Sequence, residues 1–197
     1  MFKRTKGYFL LTMLVLTGFA GRLRTNILTT KERHTLVAEL KISKKDLLKS
    51  VEGLSARQLN FKPDKNTVSI KECIYRLVSI ESSLWISAQT SLTQEPSSIQ
   101  KTAPDDKALP AIAEQEKKFQ YKELKFKNIK EALKFYKNER AEMLRYVQTS
   151  TQNVRQHVAK TDIGNFDAYQ LMLLNTIYAK QYLQKIEKIK VHLNFPK

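Results

Sequence analysis

The chain has few of the residues that carry chemistry in many enzymes and metalloproteins. Its 197 residues include one cysteine, three histidines and five glycines. A single cysteine excludes an intramolecular disulfide bond and any zinc site built from several cysteines. The sequence also lacks the G-x-G-x-x-G, G-x-x-x-x-G-K-S/T and G-x-S-x-G motifs. It therefore offers neither a glycine-rich phosphate loop nor a nucleophile elbow.

Basic residues far exceed acidic ones. There are 35 Lys and Arg against 19 Asp and Glu, which gives a formal net charge of +16. With 42% hydrophobic residues the chain can build a core, so we expect a folded domain rather than wholesale disorder. The charge favours an anionic partner, either a membrane surface or a small ligand. We expect no nucleic-acid partner, because the common nucleic-acid modules are not matched and the aromatic residues are spaced for a core.

The first twenty residues have the pattern of an export signal. Lys3, Arg4 and Lys6 precede an apolar run from Tyr8 to Ala20 that ends in small residues. This order predicts a secretory signal peptide over residues 1–20. As a helix the run would cover about 20 Å, less than the ~30 Å core of a bilayer. We expect an exported protein in a periplasmic or other extracytoplasmic compartment, with an uncleaved anchor in the inner membrane as the alternative.

The rest of the chain, residues 30–197, predicts one helical domain. Thr30 can cap a first helix and Gly53 can end it, while Ser69 and Glu72 form a capping box that opens a second. Apolar residues at helical spacing place the four helices at 30–53, 69–92, 128–148 and 167–191. A stretch with several prolines, residues 94–110, forms a long connection between the second helix and the third. Since strand signals are sparse, we predict an all-α four-helix bundle.

Two stretches carry a resemblance to a known family. One reads Leu59-Asn-Phe-Lys-Pro and then Ser69-Ile-Lys-Glu-Cys-Ile-Tyr-Arg-Leu. The other reads Phe166-Asp-Ala-Tyr-Gln-Leu-Met-Leu-Leu and ends in Asn194-Phe-Pro. Together they are similar to the DinB-like superfamily, in particular its exported branch of single-domain proteins. The resemblance runs from about Thr30 to the C-terminus and implies a four-helix bundle.

The resemblance also implies where a metal would be bound. The family's pattern is W-S-x-x-E-C-x-x-H in the second helix and H-x-x-x-H in the last, and its three histidines hold a divalent metal such as zinc or nickel. In this chain those positions are Arg76, Tyr178 and Tyr182, and Val68 replaces the tryptophan. Arginine stays protonated and cannot ligate, and the tyrosine hydroxyl has a pKa near 10. We therefore predict no metal ligand, no cofactor and no catalytic residue of the family's kind.

The histidines that the chain does contain do not replace the missing ligands. They are scattered along the sequence, whereas a metal site needs ligands that converge. We expect all three to be surface or hydrogen-bonded residues: His34, His157 and His192.

Two interpretations of Arg76, Tyr178 and Tyr182 remain open at this point. In the first they form a pocket in which the guanidinium and the two phenols bind a carboxylate or phosphate. In the second the tyrosines fill the space of the old metal site, and Arg76 pairs with Glu72 or Glu81. Aromatic residues at helical spacing more often belong to a core, which favours the second interpretation.

Cys73 also has two interpretations. It lies three residues before Arg76, whose charge would lower the pKa of the thiol and make it reactive. It also lies on the apolar face of its helix, where a cysteine is usually a small buried hydrophobic residue, and this is the interpretation we favour.

Lysines form a dense run before and within the third helix. This run could bind anionic phospholipid, or it could be an ordinary solvated face relieved by glutamates between the lysines. The spacing favours a solvated face. The residues concerned are Lys117, Lys118, Lys122, Lys125, Lys127, Lys130, Lys134 and Lys137.

These observations give three hypotheses of function. The first is an exported, non-catalytic DinB-like protein that binds a small anionic ligand at Arg76, Tyr178 and Tyr182. The second is a metal-dependent hydrolase or thiol transferase of the same superfamily. The third is a basic protein that binds an anionic membrane surface. The sequence leaves the ligand open, and it leaves open whether the protein is a homodimer.

Overall fold

A computed structural model describes residues 28–103, 105–115 and 118–197. The predicted signal peptide, residues 1–20, lies outside the described residues, and so does Lys117 of the lysine run. The described chain is mostly helical. Its helices and strands are α1 (Thr30–Val51), α2 (Ala56–Asn60), α3 (Ile70–Leu92), α4 (Leu109–Ala113), α5 (Ile129–Thr149), β1 (Val158–Thr161), β2 (Gly164–Asp167) and α6 (Ala168–Lys190).

Four long helices pack against one another and enclose the core. Helix α3 packs on α6 and on α5, and α1 packs on the other sides of α6 and α5. Aliphatic and aromatic side chains from all four helices form one buried cluster. Within the described ranges, no helix is both long enough and apolar enough to cross a membrane.

Local capping residues set the ends of these helices, and the predicted positions of the four are confirmed. At α3, Ser69 Oγ accepts from the Glu72 amide, and the Glu72 carboxylate accepts from the Ser69 amide. Helix α1 begins one residue earlier than expected, since Thr29 rather than Thr30 is its N-cap. Gly53 follows its C-terminal end at φ +73°, a conformation that suits glycine.

The prediction of an all-α fold is wrong in one place. Strands β1 and β2 form an antiparallel hairpin just before α6, with Val158 opposite Asp167 and Thr161 opposite Gly164. Gly164 has φ +135°, and an added Cβ would lie 2.5 Å from the Thr102 hydroxyl oxygen. This hairpin has a weak sequence signal, because its turn contains no Asn-Gly or Asp-Gly pair.

The long connection between α3 and α5 is held by side chains of α3. The Leu124 amide donates to Ser79 Oγ at 3.0 Å, and the Lys122 amide donates to Ser83 Oγ at 3.3 Å. Earlier in the connection a short 3-10 turn leads into α4, which packs on α6. The connection therefore forms part of the packed domain.

Candidate functional site

The three positions to which the resemblance assigns a metal site, Arg76, Tyr178 and Tyr182, lie in different environments. Tyr178 and Tyr182 lie on α6 inside the core, with 0% and 1% of their surface exposed. The Lys185 ammonium lies 4.1 Å above the centre of the Tyr182 ring. Arg76 is exposed on α3, so its charged group is in a different environment from the two phenols.

The ion pairs expected for Arg76 are made by other residues. Glu72 pairs with Lys62 Nζ at 2.8 Å on the surface. Glu81 pairs with Arg140 deep in the core. The expectation that Arg76 neutralises Glu72 or Glu81 is therefore wrong, because both carboxylates have a different partner.

A buried ion pair joins the four long helices. Arg140 of α5 donates through Nε and Nη2 to the Glu81 carboxylate of α3 at 2.7 and 2.6 Å. Arg140 Nη1 also donates to Ser43 Oγ of α1, and Nη2 donates to the Asn175 carbonyl of α6. The Tyr136 ring lies 5.3 Å from the guanidinium carbon. We call Glu81 and Arg140 the central ion pair.

A second carboxylate lies next to the central ion pair. Glu139 Oε1 accepts from Ser82 Oγ at 2.8 Å, across the α3–α5 contact. Burial raises the pKa of Glu139 to about 7, and the nearby Glu81 and Glu142 carboxylates add to the rise. This group therefore changes its charge near neutral pH.

A large cavity lies between α1 and α5. We call it the lysine groove; its volume is about 910 Å³. The two helices run in opposite directions there, since Arg33 near the start of α1 donates to the Val147 and Ser150 carbonyls at the end of α5. The rim carries six lysines: Lys41, Lys44, Lys45 and Lys49 of α1 with Lys130 and Lys137 of α5. The floor is aliphatic and includes Leu48, Leu54, Leu59, Ile129, Leu133 and Leu144.

The charge of the lysine groove is not balanced inside the protein. Its lining contains one carboxylate, Glu52, and no histidine, cysteine, serine, threonine or tyrosine. In the described part of the chain, none of the six rim ammonium groups is in an ion pair, whereas lysines elsewhere, such as Lys101 and Lys190, are. Like charges at i and i+4 on a helix repel, as Lys41, Lys45 and Lys49 do here. A bound anion would relieve this repulsion.

A smaller cavity of about 430 Å³ lies between α3 and the C-terminal half of α5. Trp85 and Tyr146 line it with their rings in edge contact, 5.7 Å between centres. Gln152 accepts from the Tyr146 hydroxyl and donates to the Leu92 carbonyl. Two of the polar side chains that line it thus already have partners within the fold.

Arg155 binds three carboxylates in a further polar cluster. It donates to Glu32 at 2.6 Å, to Asp106 at 2.8 Å and to Asp167 at 3.2 Å. Its guanidinium carbon lies 3.9 Å above the centre of the Tyr169 ring. Burial alone would raise the pKa of Glu32 and Asp106. Hydrogen bonds from Arg155 outweigh this effect and hold both pKa values below their ordinary values. We call this the Arg155 cluster, and its internal pairing indicates a structural role.

The histidines and the cysteine lie apart from these features. His34 is exposed, His192 packs on Phe61, and buried His157 has Nδ1 3.1 Å from the Ser91 carbonyl. Cys73 is buried with 0% exposure, as expected for a small core residue. Among the residues that the structure describes, no three His, Cys, Asp or Glu side chains are grouped so that they could hold a metal ion.

Sequence reasoning found only part of the lysine groove. It singled out Lys130 and Lys137 in the third predicted helix, but it did not consider the four lysines of α1. Three of the four, Lys41, Lys45 and Lys49, recur every four residues, a spacing that places them on one face of the helix. What the sequence could not supply was the neighbour of that face, because the pairing of α1 with α5 is a tertiary contact.

Comparison with known proteins adds no relative. No family model, no curated protein and no solved structure matches this chain. The DinB-like resemblance therefore stays a prediction from the residues quoted above, and the function has to be argued from the geometry.

Proposed function

We propose that this protein is a non-catalytic binding protein and that its site for an anionic ligand is the lysine groove. The observation that carries the proposal is the unbalanced charge: six lysines around the cavity face one carboxylate, Glu52. Ammonium groups without partners attract carboxylate and phosphate groups. The lining contains no serine, threonine, cysteine, tyrosine or histidine, which supports binding over catalysis at this site.

The proposal moves the anionic site away from the positions that the resemblance implies. Tyr178 and Tyr182 have almost no exposed surface, whereas Arg76 is exposed on α3. A ligand at those positions would have to displace buried rings, whereas the lysine groove is already open. The geometry therefore favours the groove.

We also propose that the domain is an exported four-helix bundle of DinB-like type that has lost its metal ligands. The sequence motifs support the family, the pattern of residues 1–20 supports export, and the packing of four long helices fits the architecture. The register can be tested by replacing Arg76, Tyr178 and Tyr182 together with histidine. If the family alignment is correct, the purified variant should retain zinc or nickel after dialysis. A folded variant that gains no metal would mean that the alignment is wrong or that the pocket has closed.

The anionic site can be located by nuclear magnetic resonance. Amide resonances of the ¹⁵N-labelled protein would be followed during titration with sodium dodecanoate and, separately, with inorganic phosphate. We expect the largest shifts in residues 41–54, at the end of α1 and just after it, and in α5 residues 129–144. Shifts centred on Arg76 would favour the site implied by the resemblance, and no shift with either anion would contradict anion binding altogether.

A matched pair of variants separates local charge from net charge. Lys45→Gln, Lys49→Gln and Lys130→Gln together remove three charges from the rim of the groove. Three exposed lysines outside the groove provide the control: Lys65→Gln, Lys107→Gln and Lys188→Gln. The rim variant should weaken binding at least tenfold and the control by less than about twofold, since distant exposed charges are screened by salt. Equal losses in both would indicate a nonspecific effect of charge.

A further inference from the structure

We infer that the ligand of the lysine groove is one anionic amphiphile: a single alkyl chain that ends in a carboxylate or phosphate group. This inference rests on the proposed anion binding and specifies the chemistry of the ligand. A site for a small inorganic anion would need only cationic and polar groups. This cavity also has an aliphatic floor along its length.

The floor matches an extended alkyl chain in shape and chemistry. Leu48, Leu54 and Leu59 lie along one side, and Ile129, Leu133 and Leu144 lie along the other. All six are only partly buried by the protein, so a ligand chain would remove further apolar surface from water. At 1.5 Å per helical residue, the lining extends roughly 15 Å along α1 and roughly 22 Å along α5.

The rim complements the other part of an amphiphile. A lysine can lay its methylene stem along an apolar surface while its ammonium group stays in water. The stems of Lys45 and Lys137 can thus extend the walls of the groove, and the ammonium groups remain available to the ligand's charged end. Neither ammonium group is in an ion pair in the described structure. They can therefore bind the charged end of the ligand without breaking an internal ion pair.

The size and charge of the groove favour a single amphiphile over other occupants. Its 910 Å³ lies within the range of small-molecule pockets, about 300–1,000 Å³. A second copy of this chain related by a twofold axis would place lysines against lysines. A bilayer surface would contact the rim but would not fill a concave floor.

The experiment is isothermal titration calorimetry of the purified protein with a series of sodium alkanoates from hexanoate to hexadecanoate, each below its micelle concentration. We expect a stoichiometry of one and a two- to fourfold gain in affinity per added methylene. The gain should stop when the chain exceeds the roughly 15–22 Å of the groove. The alcohol of the same length as the best acid should bind at least tenfold more weakly.

Variants of the floor and rim locate the chain. Leu133→Asp should weaken dodecanoate binding at least tenfold, and Leu193→Asp, at a side chain 96% exposed, should leave it unchanged. Because Leu133→Asp could also impair folding, Lys45→Gln with Lys137→Gln provides a second test at solvent-exposed side chains. Circular dichroism would verify the helical content of each variant.

The possible outcomes separate this inference from the proposal on which it rests. If hexanoate or phosphate binds as tightly as dodecanoate, the inference of an amphiphilic ligand is overturned, but the proposed anion-binding site is retained. An alcohol that binds as tightly as the acid would overturn the role of the lysines. No binding of any alkanoate or of phosphate would overturn both. Binding only to vesicles of anionic phospholipid, and not to monomeric alkanoate, would overturn the single-molecule ligand in favour of a membrane surface.

Discussion

Arg140→Met is expected to destabilise the fold by about 3–5 kcal/mol, because it leaves a carboxylate buried without its partner. In the native protein Arg140 is fully buried and Glu81 is 3% exposed. Two hydrogen bonds of 2.6 and 2.7 Å join the pair. Methionine keeps the apolar stem of Arg140 but supplies no donor, so the Glu81 carboxylate would have to remain charged without compensation or take up a proton.

The double replacement Arg140→Met with Glu81→Leu should be much less harmful than the single one. It removes both charges, and isolated buried pairs can often be replaced by hydrophobic residues at little cost. Ser43 retains the bond from its hydroxyl to the Glu39 carbonyl at 2.7 Å. We therefore expect the double variant to lie within about 2 kcal/mol of the native protein, with a strongly favourable coupling between the two positions.

The measurement is urea unfolding followed by far-ultraviolet circular dichroism at neutral and acidic pH. Burial raises the pKa of Glu81 and Arg140 opposes the rise, so the cost of Arg140→Met should be smaller in acid, where Glu81 is protonated, and grow as the pH rises. Lys62→Met, which breaks the exposed pair with Glu72, is the control and should cost less than about 1 kcal/mol. A similarly small cost for Arg140→Met would refute the reasoning. So would a double variant whose loss of unfolding free energy equals the sum of the losses in Arg140→Met and Glu81→Leu.

Three further predictions concern pH, backbone conformation and the Arg155 cluster. Burial raises the pKa of Glu139 to about 7 from 4.5, so the folded state holds a proton that the unfolded chain releases. Stability should therefore fall between pH 4.5 and 7, and Glu139→Gln should remove about 1–2 kcal/mol of that fall in urea unfolding; an unchanged profile would contradict this. Gly164→Ala should lower the thermal midpoint more than Gly53→Ala, because its Cβ would meet a hydroxyl at 2.5 Å whereas nothing lies within 4 Å at Gly53; equal shifts would contradict this. Arg155→Met should cost about 2–4 kcal/mol in the same urea assay, because three carboxylates lose a shared donor, and a cost below that of Lys62→Met would contradict it.

The sequence predicted the helices well because their ends are set by local chemistry. The capping box at Ser69 and Glu72 needs only four consecutive residues, and the glycine that follows α1 needs one residue with positive φ. The Asp167 cap of α6 is of the same kind. Such signals do not depend on which helices become neighbours, so they can be found without a structure.

The central ion pair was missed because a charged residue on a helix usually faces solvent. The sequence pattern pairs Glu81 only with Arg76 and assigns no partner to Arg140. One signal was available: Tyr136, Arg140 and Met143 follow one another at the spacing of four and three that marks the buried side of α5. The lysine groove and the hairpin have weaker sequence signals. The groove depends on the contact of α1 with α5, which are remote in sequence, and the hairpin depends on an unusual turn.

The Arg155 cluster has a consequence for the order in which the molecule can fold. Glu32 lies in the first turn of α1, 123 residues before the arginine that it binds. The same arginine binds Asp167, which caps the last helix. During synthesis α1 can form its own capping box early. The Glu32 carboxylate, however, cannot make its native contact until Arg155 has been synthesised. Because the cluster includes Asp167, its contacts between the first and last helices cannot all close until that residue has been synthesised.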